Sequence, residues 1–132
     1  MTHGNHPFGA LLVDEGGNVL LEAENGYMPS HDGTAHAERL LATLACTTIP
    51  AEVLRKATLY SSAEPCAMCA GAISFARIRR LYYGAADPKG GAVDSGVRFF
   101  SAPTCHHVPE IYGGLGESEA STLLRAFFKA RR

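Results

Sequence analysis

Ala57-Thr58-Leu59-Tyr60-Ser61-Ser62, Pro65-Cys66-Ala67-Met68-Cys69-Ala70-Gly71-Ala72-Ile73-Ser74-Phe75-Ala76 and Arg80-Leu81-Tyr82-Tyr83-Gly84 follow one another and decide the fold. The first segment reads as a buried strand, bounded by polar residues. Pro65, with a fixed φ and no N–H to lose, suits the first turn of a helix from about Cys66 to Ala76. Arg80–Gly84 reads as a second strand.

Outward from this unit the alternation continues. Upstream, Thr34 is placed to cap a helix from about Ala35 to Thr47, with Leu40, Leu41 and Leu44 on one face. Before it, Phe8–Asp14 and Val19–Asn25 flank the turn signal Glu15-Gly16-Gly17-Asn18 and read as a hairpin, and Gly26–Gly33 reads as a loop. Downstream come a long loop from Ala85 to about Cys105, a short strand near Val108–Ile111, and a closing helix from Glu117 to about Arg131. Strands alternating with helices give an α/β layered domain with a mixed sheet. Its two central helices start at the same edge, where open α/β sheets place their ligand sites.

The 132 residues suit one domain, 46% apolar and 19% charged. No stretch approaches the roughly 20 apolar residues of a membrane span, and the first residues lack a signal-peptide pattern, so a cytoplasmic protein is expected. The net charge of −1 conceals an asymmetry: residues 1–70 carry 3 basic and 8 acidic side chains, residues 71–132 carry 9 and 5. A basic half suits a phosphate-bearing partner as well as it suits a merely lopsided solvated surface.

Without a secretion signal, the Cys66-x-x-Cys69 pair points to metal rather than to a disulfide. On a helix, residues three apart share a face, so both sulfurs reach one ion, and a helix N-terminus favours the thiolate that binds it. His36 makes a third ligand. Three protein ligands leave one tetrahedral position for water, the pattern of a catalytic zinc, which brings the pKa of that water to about 7. Glu38, two positions after the histidine, is placed to shuttle protons without ligating. The Cys105-His106-His107 cluster is the competing source of a fourth ligand or of a second metal site, and Cys46 reads as a small core residue.

His-x-Glu followed by Pro-Cys-x-x-Cys is the signature of the zinc deaminases that act on nucleobases, and with these residues the chain resembles the cytidine and deoxycytidylate deaminase superfamily. More narrowly, it resembles the bacterial tRNA-specific adenosine deaminases through Asn25, His31-Asp32, Thr34–Glu38, Glu64–Ile73, Ala76–Arg80, Tyr83–Ala92 and Phe127–Arg132. The resemblance implies a single deaminase domain over residues 1–132, three-layered, with a central mixed sheet of about five strands. It implies one Zn2+ per chain, a homodimer with the second central helix near its interface, and the wobble adenosine of an arginine tRNA as substrate. It further implies base or ribose contact at Asn25, the flipped base near the backbone of Ala37, Asp87 and Lys89 on the loop beside the nucleotide, and Phe128 against the anticodon stem.

Three features depart from that pattern. The family opens on a helix covering one sheet face, for which the residues before Phe8 leave no room; a partner covers that face, or the chain is clipped. Phe8, in Pro7-Phe8-Gly9, looks like guanine and other free-base deaminases, where an aromatic stacks on the base, and its alternative is a core side chain. Ala63 stands where tRNA enzymes more often carry leucine, which widens the pocket. The leading expectation is therefore deamination of a tRNA anticodon-loop adenosine. The alternatives are deamination of a free nucleobase or nucleoside, and a zinc-stabilised RNA-binding or dimerisation subunit without activity, against which Glu38 speaks.

Overall fold

The computed structural model describes residues 9–24, 34, 36–85, 87–105 and 107–113. Strands β1 (Gly9–Val13) and β2 (Val19–Glu24) form the expected antiparallel hairpin. Its turn is closed by Asp14, whose carboxylate accepts the Asn18 N–H at 2.8 Å, while Gly17 takes φ 90°, a backbone state costly for residues with a Cβ. Helix α1 (Ala37–Thr48) follows, then a four-residue helix α2 (Ala51–Leu54), strand β3 (Thr58–Ala63), helix α3 (Ala67–Ala76) and strand β4 (Arg80–Ala85). A 3-10 turn at Phe99–Ser101 interrupts the long loop before strand β5 (Glu110–Gly113).

The five strands form one mixed sheet in the order β2-β1-β3-β4-β5. β1 pairs antiparallel with β2 and β3, whereas β3, β4 and β5 run parallel. Side chains alternate across a strand, so register sorts the faces. Leu12, Leu59 and Leu81 lie side by side on the face that meets the helices and join Leu41, Ala45 and Ile73 in the core. Leu11, Tyr60, Tyr82 and Tyr112 form the row on the opposite face, where the tyrosine rings stack at centroid distances of 5.0 and 4.6 Å.

Three expectations are corrected. The N-cap of α1 is His36 in extended backbone, not Thr34, and from there its ring meets Cys66 and Cys69. The buried face of α1 is Ala37, Glu38, Leu41, Ala42 and Ala45, so Leu44 is 43% exposed and half-buried Leu40 flanks the face. Cys46, one residue past that stripe, is exposed rather than core. The absent first helix and the closing helix at 117–131 concern segments outside the described residues.

Candidate metal centre

Two helix starts build the site. At Pro50 and again at Pro65 a proline ends an extended segment where a helix begins, and the residue after Pro65 is Cys66, the N-cap of α3 (φ −75°, ψ 177°). Being outside the first turn, Cys66 turns its sulfur back towards Cys69, the third residue of that turn. His36 is the N-cap of α1 in the same manner. The ligand atoms of His36, Cys66 and Cys69 all lie within 4.8 Å of one another, the one such cluster among the described residues.

The spacing suits a metal. Metal–nitrogen distances of about 2.0–2.1 Å and metal–sulfur distances of about 2.3 Å in a tetrahedron put nitrogen and sulfur about 3.5 Å apart. The His36 Nδ1 lies 3.5 Å from both Cys66 Sγ and Cys69 Sγ. Two thiolates and an imidazole form the donor set that selects zinc over harder ions. Zinc fits this site, one ion per chain.

Electrostatics prepare the sulfurs. The Cys69 thiol beside Cys66, its amide and the His36 ring outweigh burial and bring the Cys66 pKa down to about 5. Cys69 is pushed up, because its neighbour already carries the charge and because it is buried near Glu38, though the Arg39 amide opposes this. The amide acting on each sulfur belongs to the third residue of a helix, Cys69 in α3 and Arg39 in α1. The positive end of each helix dipole thus faces a sulfur ligand, and at α3 that sulfur is the one held as thiolate.

Glu38, the second residue of α1, is 8% exposed. Burial raises its pKa, as does the Cys66 charge, against the pull of its own amide, His36 and the Ser61 hydroxyl. A carboxyl that holds a proton more readily than usual, beside a metal site, has the makings of an acid–base group.

The remaining site expectations separate. Ala37 is 1% exposed and its methyl is in the core, leaving its backbone for any ligand. Ala63, half-buried, ends β3 opposite Ala85 on β4. Asp87 Oδ1 accepts the amides of Lys89 at 3.1 Å and Gly90 at 2.9 Å, so its carboxylate shapes its own turn. Asn25, Phe8 and Phe128 lie outside the described residues. Of the Cys105-His106-His107 cluster, His106 lies outside the described residues. Among those described, Cys105 and His107 belong to no metal cluster, since the Cys105 thiol donates to the His107 carbonyl at 3.2 Å and the His107 ring Nε2 meets the Ile78 carbonyl at 2.9 Å.

One residue was quoted in the sequence only as part of a motif. Glu64 is 4% exposed, and its carboxylate accepts the amides of Asp87, Val93, Asp94 and Ser95 and the Ser95 hydroxyl, all at 2.9–3.0 Å. A carboxylate beside a Pro-Cys turn signals nothing by spacing, because its partners lie 23 to 31 residues downstream.

Three protein ligands, which in a tetrahedron leave a fourth position for water, close to a buried carboxyl make this the site of a zinc-dependent hydrolase. The family profile of the cytidine and deoxycytidylate deaminase zinc-binding region matches residues 1–85. A tRNA-specific adenosine deaminase of Agrobacterium fabrum is 57% identical over 126 residues, 96% of this chain and 82% of the relative. The chain belongs to the cytidine and deoxycytidylate deaminase family, in the branch that holds the tRNA-specific adenosine deaminases. A solved structure from work on A-to-I editing by tRNA:A34 deaminases at the wobble position superposes with a TM-score of 0.77 at 57% identity, covering 89% of this chain and 84% of that one. A guanine deaminase from Nitrosomonas europaea, at 24% identity and a TM-score of 0.64 over 93% of this chain and 73% of that one, shares the fold.

Proposed function

We propose that this protein hydrolyses the wobble adenosine of a tRNA to inosine, releasing ammonia. The observation that carries the reading is the His36–Cys66–Cys69 cluster with Glu38 buried beside it. The tRNA-specific relatives support the choice of substrate. Zinc held by the three ligands supplies Lewis acidity that makes water a nucleophile near neutral pH. Glu38 takes one proton from the attacking water and delivers it to N1 of the adenine, then takes the proton of the hydroxyl now on C6 and gives it to the departing amine. A C6–O bond forms, the C6–N bond breaks, and water plus adenosine gives inosine plus ammonia. The raised affinity of Glu38 for a proton suits it to carry each of the two protons in transit.

An anticodon-loop base is unpaired and can be splayed into a pocket at modest cost. In this reading the backbone of Ala37 and the end of β3 at Ala63 border the base, and Asn25, Phe8 and Phe128 complete the contacts. Asp87 and exposed Lys89 flank the nucleotide from the loop after β4. Residues 1–132 act as one deaminase domain, in the cytoplasm where tRNA is modified. A second copy packs on the outer face of α3, where Met68 and Ala72 are half-buried and Phe75 is 83% exposed. No helix among the described residues is long and apolar enough to cross a membrane.

The test is ammonia and inosine production by zinc-loaded protein, with an anticodon stem-loop carrying A34 beside a panel of free bases and nucleosides. Inosine in the stem-loop, with turnover falling steeply as salt rises, is the expected result. Turnover of guanine with an inert stem-loop overturns the choice of substrate. Glu38→Gln is expected to keep its zinc and lose about 10²–10⁴ in kcat; loss of zinc along with activity assigns Glu38 to the metal site instead.

A further inference from the structure

We propose that Glu64 is a positioning residue for substrate recognition: it locks the 87–95 loop onto the turn that carries Cys66. The inference rests on the reading above in that the loop's outer side, at Lys89, faces the RNA.

Glu64 divides its two oxygens between the two ends of the loop. Oε1 accepts the Asp87 amide at 3.0 Å where the loop leaves β4, and the Ser95 hydroxyl at 3.0 Å. Oε2 accepts the amides of Val93, Asp94 and Ser95 at 3.0, 2.9 and 2.9 Å. The loop's middle is bound to the same turn, since the Ala92 amide donates to the Pro65 carbonyl at 2.9 Å. Four amides converging on one carboxylate form an anion nest already filled by the protein's own side chain. A phosphate therefore has no claim on it. What the nest does is fix geometry: Glu64 and Pro65 immediately precede the metal ligand Cys66, so the loop's position is referred to the metal through two residues of chain. Gly91 leaves room for this, because a Cβ there would lie 2.4 Å from the Glu64 carboxyl carbon.

The chemistry of substitution gives a graded test. The oxygen of Glu64→Gln can still accept the amides of residues 93–95, and its NH2 can donate to the Ser95 hydroxyl, but that NH2 confronts the Asp87 N–H. Glutamine thus releases the Asp87 end of the loop, whereas Glu64→Ala releases both ends. Zinc-loaded wild type and both variants are compared by zinc content, amide hydrogen exchange, and kcat and KM on the A34 stem-loop. Zinc is expected to stay at one per chain. Exchange should quicken around Asp87 in Glu64→Gln and across 87–95 in Glu64→Ala. KM should rise by about tenfold in the first and further in the second, with kcat moving much less.

Ser95→Ala, which removes only the hydroxyl bond, serves if Glu64→Ala does not fold, and should give a smaller KM rise. Loss of zinc, or a fall in kcat at constant KM, makes Glu64 a support of the metal site and overturns the proposal. Faster exchange with KM unchanged overturns it too, because the loop then does not meet substrate. A stem-loop inert with wild type counts against the tRNA reading, while the exchange measurements still decide whether Glu64 holds the loop.

Discussion

Gly91 lies where an added methyl group would meet the Glu64 carboxyl carbon at 2.4 Å, its Oε1 at 2.6 Å and the Asp87 backbone oxygen at 2.7 Å. A flexible side chain would swing away, but five hydrogen bonds hold this carboxylate and the third neighbour is main chain. Gly91→Ala is therefore expected to cost about 1–3 kcal/mol through overpacking, read as a lower urea midpoint. Gly16→Ala, whose nearest atoms are side-chain ends at 3.5 Å, should stay within about 0.5 kcal/mol of wild type. Equal losses at both positions would mean that Glu64 is not held as described. At this scale the ligands and Glu38 were legible because their spacing is local: two positions between His36 and Glu38, three between the cysteines. Glu64 and Gly91 were not, because nothing in Glu64-Pro65 foretells which distant amides a fold will bring to a carboxylate.

Among the elements, β1 to β4 and the two central helices were legible from apolar runs and their punctuation. Both helix starts came out a residue or two later than their patterns suggested. His36 and Cys66 are good neither as helix-formers nor as caps with side-chain bonds; from their N-cap positions they meet Cys69, one turn into α3, at a single point. The four-residue helix Ala51–Leu54 is too short to leave a periodic trace. The C-terminus of α3 carries a further departure from local preference. Arg77 adopts φ 58°, ψ 37° as its C-cap, a left-handed conformation that costs a residue with a Cβ about 1–2 kcal/mol. Its side chain is exposed, so little else is lost on truncation. Arg77→Gly is expected to raise stability by about 1 kcal/mol in urea unfolding, the usual benefit of glycine at a left-handed cap outweighing its extra chain entropy. A destabilised Arg77→Gly would show that the guanidinium makes a contact worth more than the backbone strain.

Across the whole molecule, the ion ties together two helices that the sheet alone would hold only by packing. Its ligands come from the starts of α1 and α3, and Glu64 fastens the loop after β4 to the same turn. Metal removal should therefore loosen the entire helical layer, and the melting temperature should fall on chelation and recover with zinc as RT ln(1 + [Zn]/Kd) requires. Proton release on rebinding tests the electrostatics of that junction. With the Cys66 pKa held at about 5 and that of Cys69 pushed up, the metal-free pair carries one proton at neutral pH. At pH 7 zinc then displaces about one thiol proton per chain, and the water it binds, with a pKa near 7, gives up about half a proton more. Two ordinary thiols of pKa near 8.5 would add about one further proton at that pH. Calorimetry in buffers of differing ionisation enthalpy measures this number directly. About one and a half protons means that the Cys69 thiol, its amide and the His36 ring have prepared a thiolate before the metal arrives, and affinity then changes about 30-fold per pH unit near pH 7. About two and a half protons mean that the ion itself drives both ionisations, with affinity changing about 300-fold per unit, and those neighbours of Cys66 contribute nothing that the metal does not.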